Sequence, residues 1–170
     1  MLAISLWQPW ASLFLTPDKL HETRGWKMDY RGWLAIHAAK NTSAYADGAL
    51  SPELSSIVRL RFAANWRGNL PRGMLIGAVH VVDCYPTEQA AVGPVDYHCG
   101  NYEPGRFAIK RDACLVLNQP IPVIGRQKYF QLPIETDREV AKQIINSKLI
   151  GWERLAEALP GPLPYDDSLR

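Results

Sequence analysis

Cysteine is scarce and poorly placed for chemistry: Cys84, Cys99 and Cys114 are odd in number and show no C-x-x-C pairing. That spacing argues against a structural zinc site, and three free thiols, buried as small hydrophobes in a reducing compartment, fit it instead. No apolar run approaches the roughly 20 residues that span a bilayer, and no charged n-region precedes an apolar h-region. A soluble, cytoplasmic chain with no membrane partner is therefore expected. Internal repeats and low-complexity segments are absent. Missing too are G-x-x-x-x-G-K-[ST], G-x-G-x-x-G, H-E-x-x-H and G-x-S-x-G, which removes the commonest phosphate, dinucleotide, zinc and acyl-serine sites. His21, His37, His80 and His98 are scattered, so neutral core or surface rings are favoured over metal ligands. Neither a metal nor a cofactor is expected.

What the chain does have is concentrated near its start. Trp7, Trp10, Trp26 and Trp33, four of the six tryptophans, are interleaved with Lys19, Arg24, Lys27 and Arg31. Flat rings beside cations suit base stacking and phosphate binding. The formal charge of +2 is modest but uneven: residues 1–75 carry nine Lys or Arg against five Asp or Glu, and residues 76–170 ten against twelve. The half rich in tryptophan is the basic half, so a nucleic-acid face is expected there.

The 170 residues suffice for one domain with a buried core. Leu2 to Leu6 reads as a strand, Pro9 can open a short apolar helix over Trp10 to Leu15, and Thr16-Pro17-Asp18 ends it. Leu20 to Arg24 is extended, Tyr30-Arg31-Gly32 a turn, and Trp33 to His37 a strand. Ser51-Pro52-Glu53 starts a helix whose apolar stripe is Leu54, Ile57, Val58 and Phe62. Arg61 falls inside that stripe, either packing its stem and pairing with an acid or aiming a cation into a cleft. Arg59, Arg61, Arg67 and Arg72 surround Trp66 with no acid between Arg59 and Arg72, which makes either a solvated face or a binding patch. Gly73 to Cys84 reads as a strand buried on both faces and closed by Tyr85-Pro86. Thr87 to Pro104 lacks a period and is expected as a loop over the site. Strands follow at Arg106 to Leu117 and Tyr129 to Leu132, with an edge crossing at Pro120 and Pro122. Thr136-Asp137-Arg138-Glu139 matches a capping box before a helix with Val140, Ala141, Ile144, Ile145 and Leu149 on its apolar side. Gly151 is read as its end, followed by a turn or two over Trp152 to Leu159 and a frayed tail.

The group most suited to chemistry is Lys19, Glu22, Thr23 and Arg24. On an extended segment side chains alternate, so Glu22 and Arg24 share one face with Leu20, and His21 and Thr23 take the other. If Glu22 and Arg24 face a cleft, the guanidinium can fork onto a phosphate, carboxylate or carbonyl. A partly desolvated Lys19 beside it could act as a general base. The alternative is a structural Glu-Arg pair bracing the mouth of the sheet.

The run SLWQPWASL, the K-x-x-E-T-R-x-W segment and YRGWLAIHAAK resemble the opening of an ASCH domain (activating signal cointegrator homology), a relative of the PUA RNA-binding fold. The likeness returns in Gly77-Ala78-Val79-His80-Val81, Gly105-Arg106-Phe107-Ala108 and Pro120-Ile121-Pro122-Val123-Ile124-Gly125. The resemblance implies an α+β, PUA-like β-barrel with flanking helices in a single domain: the barrel over 1–134 and a helical extension packed on it over 135–170. Some small bacterial members are amidohydrolases of N4-acetylcytidine, with a Lys, a Thr three residues on, an Arg five residues on and a distant Glu. Lys19 and Arg24 match that spacing. Glu22 occupies the threonine position, Thr23 lies one residue later, and Glu88 and Glu103 are candidates for the distant acid. The tryptophan-rich opening resembles instead the branch that includes the transcription-coactivator domain, for which nucleic-acid binding is implied, and other members are ribonucleases.

The expected function is nucleic-acid binding, RNA before DNA, in a basic, aromatic-lined cleft of Lys19, Arg24, Trp26, Lys27, Arg31, Arg61, Trp66 and Arg67. Trp10, which begins the apolar helix, is expected in the core. A hydrolase acting on RNA or a modified nucleoside in the same cleft, with Lys19 as base and Arg24 as stabiliser, is the alternative. A protein-interaction module is the third reading.

Overall fold

In a computed structural model, residues 1–42 and 50–150 are described, with side chains described through 146. The elements are β1 (Leu2–Leu6), α1 (Trp10–Leu13), β2 (His21–Arg24), β3 (Gly32–Ala38), α2 (Pro52–Phe62), α3 (Trp66–Asn69), β4 (Met74–Pro86), α4 (Pro94–His98), β5 (Phe107–Pro122), β6 (Tyr129–Gln131) and α5 (Ile134–Ile150). The six strands form one mixed sheet in the order β2-β5-β4-β3-β1-β6. Only β1 and β3 run parallel; the other pairs are antiparallel. The long β4 and β5 change register at Leu75/Gly77, His80/Val81 and Val81/Asp83. Such bulges add bend and twist to a strand pair, and the sheet curls into a half-barrel.

Period-two patterning decides what each face buries. Ile4, Leu6, Leu34, Ile36, Ile76, Val79, Val81 and Ile109 point into one cluster with Phe14, Leu15 and Met28. The alternate positions, Ala3, Ala35, Leu75, Ala78, Leu115 and Leu117, join Phe130, Leu132 and the α5 residues Val140 and Ile144. β4 contributes to both clusters, as expected for a strand covered on two sides. A third cluster binds α2, α3 and the Thr87 to Pro104 segment to α1 through Leu13, Leu54, Ile57, Val58, Trp66 and Cys99. Ser51 caps α2 as its sequence predicts, its Oγ accepting from the Leu54 amide at 3.1 Å.

Three expectations need correction. Thr87 to Pro104 is not a plain loop: it holds a 3₁₀ turn at Thr87–Gln89 and the short α4. It is pinned by the buried Asp96, which accepts from the amides of Leu20 and His21 and meets His21 Nδ1 at 2.7 Å. β5 runs on through Pro120 to Pro122, where it pairs with Met74 instead of ending at Leu117. α5 starts at Ile134, so Thr136 lies inside its first turn and does not cap it; the amide of Asp137 already donates to the Pro133 carbonyl at 2.9 Å. The expected end at Gly151 and the turns over Trp152 to Leu159 lie outside the described residues. Among the described residues no helix is long and apolar enough to cross a membrane.

Gly77 is where the sheet tolerates no side chain. A Cβ there would strike the Leu115 carbonyl oxygen and both δ-methyls of Leu15. Gly77→Ala should therefore cost about 1–3 kcal/mol by overpacking, read as a lower urea midpoint with an unchanged slope. An unchanged midpoint would mean that β4 and β5 move apart at no cost.

Candidate nucleic-acid interface

The site is built where strands end. β1 and β3 are parallel, so Trp7 and the Ala39-Lys40 segment leave the sheet on the same side. β4 begins there after Arg72-Gly73, and β5 delivers the chain from Pro122 to Lys128 before β6. Around these ends lies a cavity of about 990 Å³ whose lining includes Arg24, Lys40, Arg72, Arg126 and Lys128 and no carboxylate. A second cavity, about 490 Å³, is lined by Trp7, Trp10, Glu22, Thr23, Arg24, Asn101 and Arg106 among others. Ser5, Trp7 and Arg24 line both. Trp7 is 46 % exposed, an unusual state for so large a ring.

Arg24 is held from behind. Its Nη2 meets Glu22 Oε1 at 3.2 Å and donates to the Ser5 carbonyl at 3.3 Å. Glu22 Oε2 in turn meets Lys19 Nζ at 3.4 Å. Lys19 is 0 % exposed, and its ammonium also donates to the carbonyls of His21 at 2.6 Å and Cys99 at 2.9 Å. Two of the ammonium's donors go to these carbonyls, and its charge is met by the Glu22 carboxylate as an ion pair. Lys19 is thus a strut behind the cavity wall, tying β2 to the segment after α4. Burial pushes the neighbouring Cys99 thiol up to about 12, against the pull of Lys19, so the thiol stays protonated.

The strand alternation holds: Glu22 and Arg24 pair on one face, while the buried Thr23 accepts from the Asn101 amide at 2.9 Å through Oγ1. Arg106 crosses the same junction, donating from Nε to the Asn101 carbonyl at 3.2 Å and from Nη2 to the Thr23 carbonyl at 3.4 Å.

The other sequence-derived candidates lie elsewhere. Arg61 is buried and bonded to Asp18, with Nε donating at 2.7 Å. Trp66 is 1 % exposed and closed to a ligand, with the Arg67 guanidinium 4.7 Å from its ring centre. Trp26 packs on the main core and against Tyr129, ring centres 5.6 Å apart. Arg31 bonds the carbonyls of Met28 and Tyr30 and the carboxylate of Asp83. Lys27 is exposed beyond the end of β2. None of these lines either cavity, nor do Lys19, Glu88 or Glu103. Trp10 packs on the third cluster and also lines the smaller cavity. The cavity-lining cations outside the cleft expected from sequence are Lys40, Arg72, Arg106, Arg126 and Lys128, drawn from four separate connections, with Arg72 read only as part of the Arg59 to Arg72 patch. A signal for the last two was available: Gly125-Arg126-Gln127-Lys128 directly follows the Pro120 to Gly125 segment that carries the family likeness. Among the described residues, no group of three or more His, Cys, Asp or Glu is placed to hold a metal ion.

His37 closes the floor of the larger cavity. Its Nε2 lies 3.1 Å from the Val123 carbonyl and must donate there, and Nδ1 lies 3.0 Å from Ser5 Oγ. Burial lowers its pKa below the ordinary 6.5, against the opposing bond to Val123.

Residues 4–121 match the ASCH domain family. The human protein Activating signal cointegrator 1 is 29% identical over 133 residues, which are 76% of this chain and 22% of that relative, so the chain spans about a fifth of its length. Crystal structures of ASCH from Zymomonas mobilis and of its serine-to-alanine mutant align with TM-scores of 0.48 and 0.48, at 12% and 14% identity. They cover 85% and 83% of this chain and 93% and 94% of their own.

Two predictions follow from this wall. Lys19→Met removes one cation of a buried ion pair, leaving Glu22 only Arg24, and takes the donor from two carbonyls, so it should lower unfolding free energy by about 3–5 kcal/mol in urea titration; a loss under about 1 kcal/mol would show that Lys19 is not a strut. His37 is the pH-sensitive part. Unfolded, it takes up a proton near 6.5, which the folded site resists, so its stability contribution is complete above that pH and is lost as pH falls toward the lowered folded value. The drop in urea midpoint between about pH 7.5 and 5.5 should be smaller in His37→Gln than in the parent.

Proposed function

This chain belongs to the ASCH domain family, and from that premise we propose that it binds single-stranded nucleic acid, RNA in preference to DNA, along the two adjoining cavities. The family is one generally linked to RNA binding. The observation that carries the reading is the larger cavity's lining of five cations without a carboxylate, with an exposed tryptophan where it meets the smaller one. Phosphates run past Lys40, Arg72, Arg126 and Lys128, Arg24 forks onto a phosphate or base edge at the junction, and a base stacks on Trp7. Glu22 does not repel the strand, because Lys19 and Arg24 flank it. The hydrolase reading based on Lys19 has less support, since Lys19 is fully buried and lines neither cavity, out of reach of a substrate proton.

Lys128 carries a separate argument. Its backbone sits at φ 58°, in the left-handed region, where a side chain is disfavoured by roughly 1–2 kcal/mol. A cation kept at such a cost in the cavity lining suits a binding role better than a structural one.

Anisotropy titration of a labelled single-stranded RNA over a range of salt tests the proposal, with a denaturing gel run alongside to see whether the RNA stays intact. Log affinity should fall with log salt at a slope near about −3.5 if all five cations meet phosphate, and each lost cation should remove about 0.7. Arg24→Ala should weaken binding by about 1–3 kcal/mol. Trp7→Ala should do so by a similar amount, about 1–3 kcal/mol for one stacked base. Lys128→Gly should lower affinity with no loss of melting temperature. Binding that ignores salt, or that survives Arg24→Ala unchanged, would remove this groove as the site, and stronger binding of the matching DNA strand would reverse the preference.

A further inference from the structure

The floor of the larger cavity holds a pair of side chains that nucleic-acid binding does not use. Ser5 and His37 are register partners on the parallel β1 and β3, so their side chains stand on the same face. Ser5 is half-buried, His37 is buried, and both line the cavity. Because Nε2 of His37 faces the Val123 carbonyl, the proton of the neutral ring is on Nε2, and the Nδ1 lone pair is left for Ser5. The Ser5 hydroxyl therefore donates to Nδ1 across 3.0 Å.

That is a nucleophile in reach of a base whose ring is oriented by a third group, the arrangement that activates a serine. A serine bonded to a buried histidine is also a common way to satisfy a core ring. Two features separate this pair from that ordinary case. It opens on a cavity large enough for a substrate, and the guanidinium of Arg24, which lines the same cavity, is bonded to the carbonyl of Ser5 itself. Gly125 packs against the pair, where a Cβ would collide with both Ser5 Oγ and the His37 ring, so only glycine fits on that side and the pair is held in place.

We propose that Ser5 and His37 form a nucleophile and base that hydrolyse an acyl ester carried on a phosphate-bearing molecule held in the larger cavity. Ser5 Oγ attacks the ester carbonyl carbon and its proton passes to His37 Nδ1. The charge on the imidazolium is eased by the Nε2 bond to Val123, and Arg24 supplies positive charge toward the oxyanion. The tetrahedral centre collapses, the carbon-oxygen bond to the alcohol breaks, and the alcohol leaves with the proton from His37. Water then attacks the acyl-serine carbonyl, gives one proton through His37 to Ser5 Oγ, and the carboxylic acid departs. The lining of Arg24, Lys40, Arg72, Arg126 and Lys128 is what restricts the substrate to one that carries phosphate. This activity needs no nucleic-acid partner, so it stands or falls separately from the binding proposed above.

The test is covalent labelling of the folded 170-residue chain with a fluorophosphonate, located by peptide mass. Ser5 Oγ would bond to phosphorus, fluoride would leave, and the hydroxyl proton would pass to His37. The expected result is a single adduct on Ser5, slowed by inorganic pyrophosphate occupying the cavity and slowed about 100-fold or more in His37→Gln. Labelling of the unaltered protein requires no variant to fold, so the absence of an adduct on Ser5 overturns the proposal. So does an adduct that forms at an unchanged rate in a folded His37→Gln protein, which would make His37 a packing residue.

Discussion

The buried ammonium of Lys19 is the contact on which the site depends. A lysine with no exposure is tolerable only where its charge is paired and its donors find acceptors, and here Glu22 pairs the charge and two carbonyls accept from the ammonium. The consequence runs outward. With one carboxylate oxygen held by Lys19, the other is directed to Arg24, and the guanidinium is held at the boundary of both cavities. The same ammonium reaches the Cys99 carbonyl, so the segment after α4 is fixed against β2 and the rear wall of the smaller cavity is set with it. A second buried network, Asp96 with His21 and Tyr85, reinforces that junction, with His21 Nε2 2.7 Å from the Tyr85 hydroxyl.

The second determinant is topological. One parallel pair in an otherwise antiparallel sheet sends β1 and β3 out on the same side, and β4 and β5 begin and end there. Connections that are far apart in sequence therefore converge, each bringing a cation: Lys40 after β3, Arg72 before β4, Arg126 and Lys128 before β6. None of the four is buried, so charge can gather there without the desolvation cost that forces Lys19 and Arg61 into pairs.

Local pattern made much of the fold legible. The period of two in Leu2 to Leu6 and Trp33 to His37, and the Ser51-Pro52-Glu53 cap, encode structure within a few residues of themselves, and these elements form as read. The capping box at Thr136 is a local match that the helix overrides, since α5 has already begun at Ile134 and the Asp137 amide bonds the Pro133 carbonyl. Thr87 to Pro104 looked aperiodic because its order comes from long-range bonds of Asp96 to β2 and of Thr87 to the Glu103 carbonyl, which no local period records.

The candidate site was legible only in part. Alternation along β2 is a property of extended backbone, so the pairing of Glu22 with Arg24 could be read from the sequence alone, as could the family likeness and the basic, tryptophan-rich first half. Direction could not: Lys19, Arg61 and Trp66 have the composition of a binding surface, and only packing shows them turned inward, because burial is a property of what the rest of the chain places around a residue. Trp7 and Trp10 differ for the same reason, one left open at a strand end and the other laid on a helix cluster. The sequence by itself determined the α+β class, the strand faces and the Glu22–Arg24 pair, since each follows from neighbours along the chain. The tertiary structure alone decided which cations share a cavity and that Ser5 meets His37, since those contacts exist only once the strand ends are brought together.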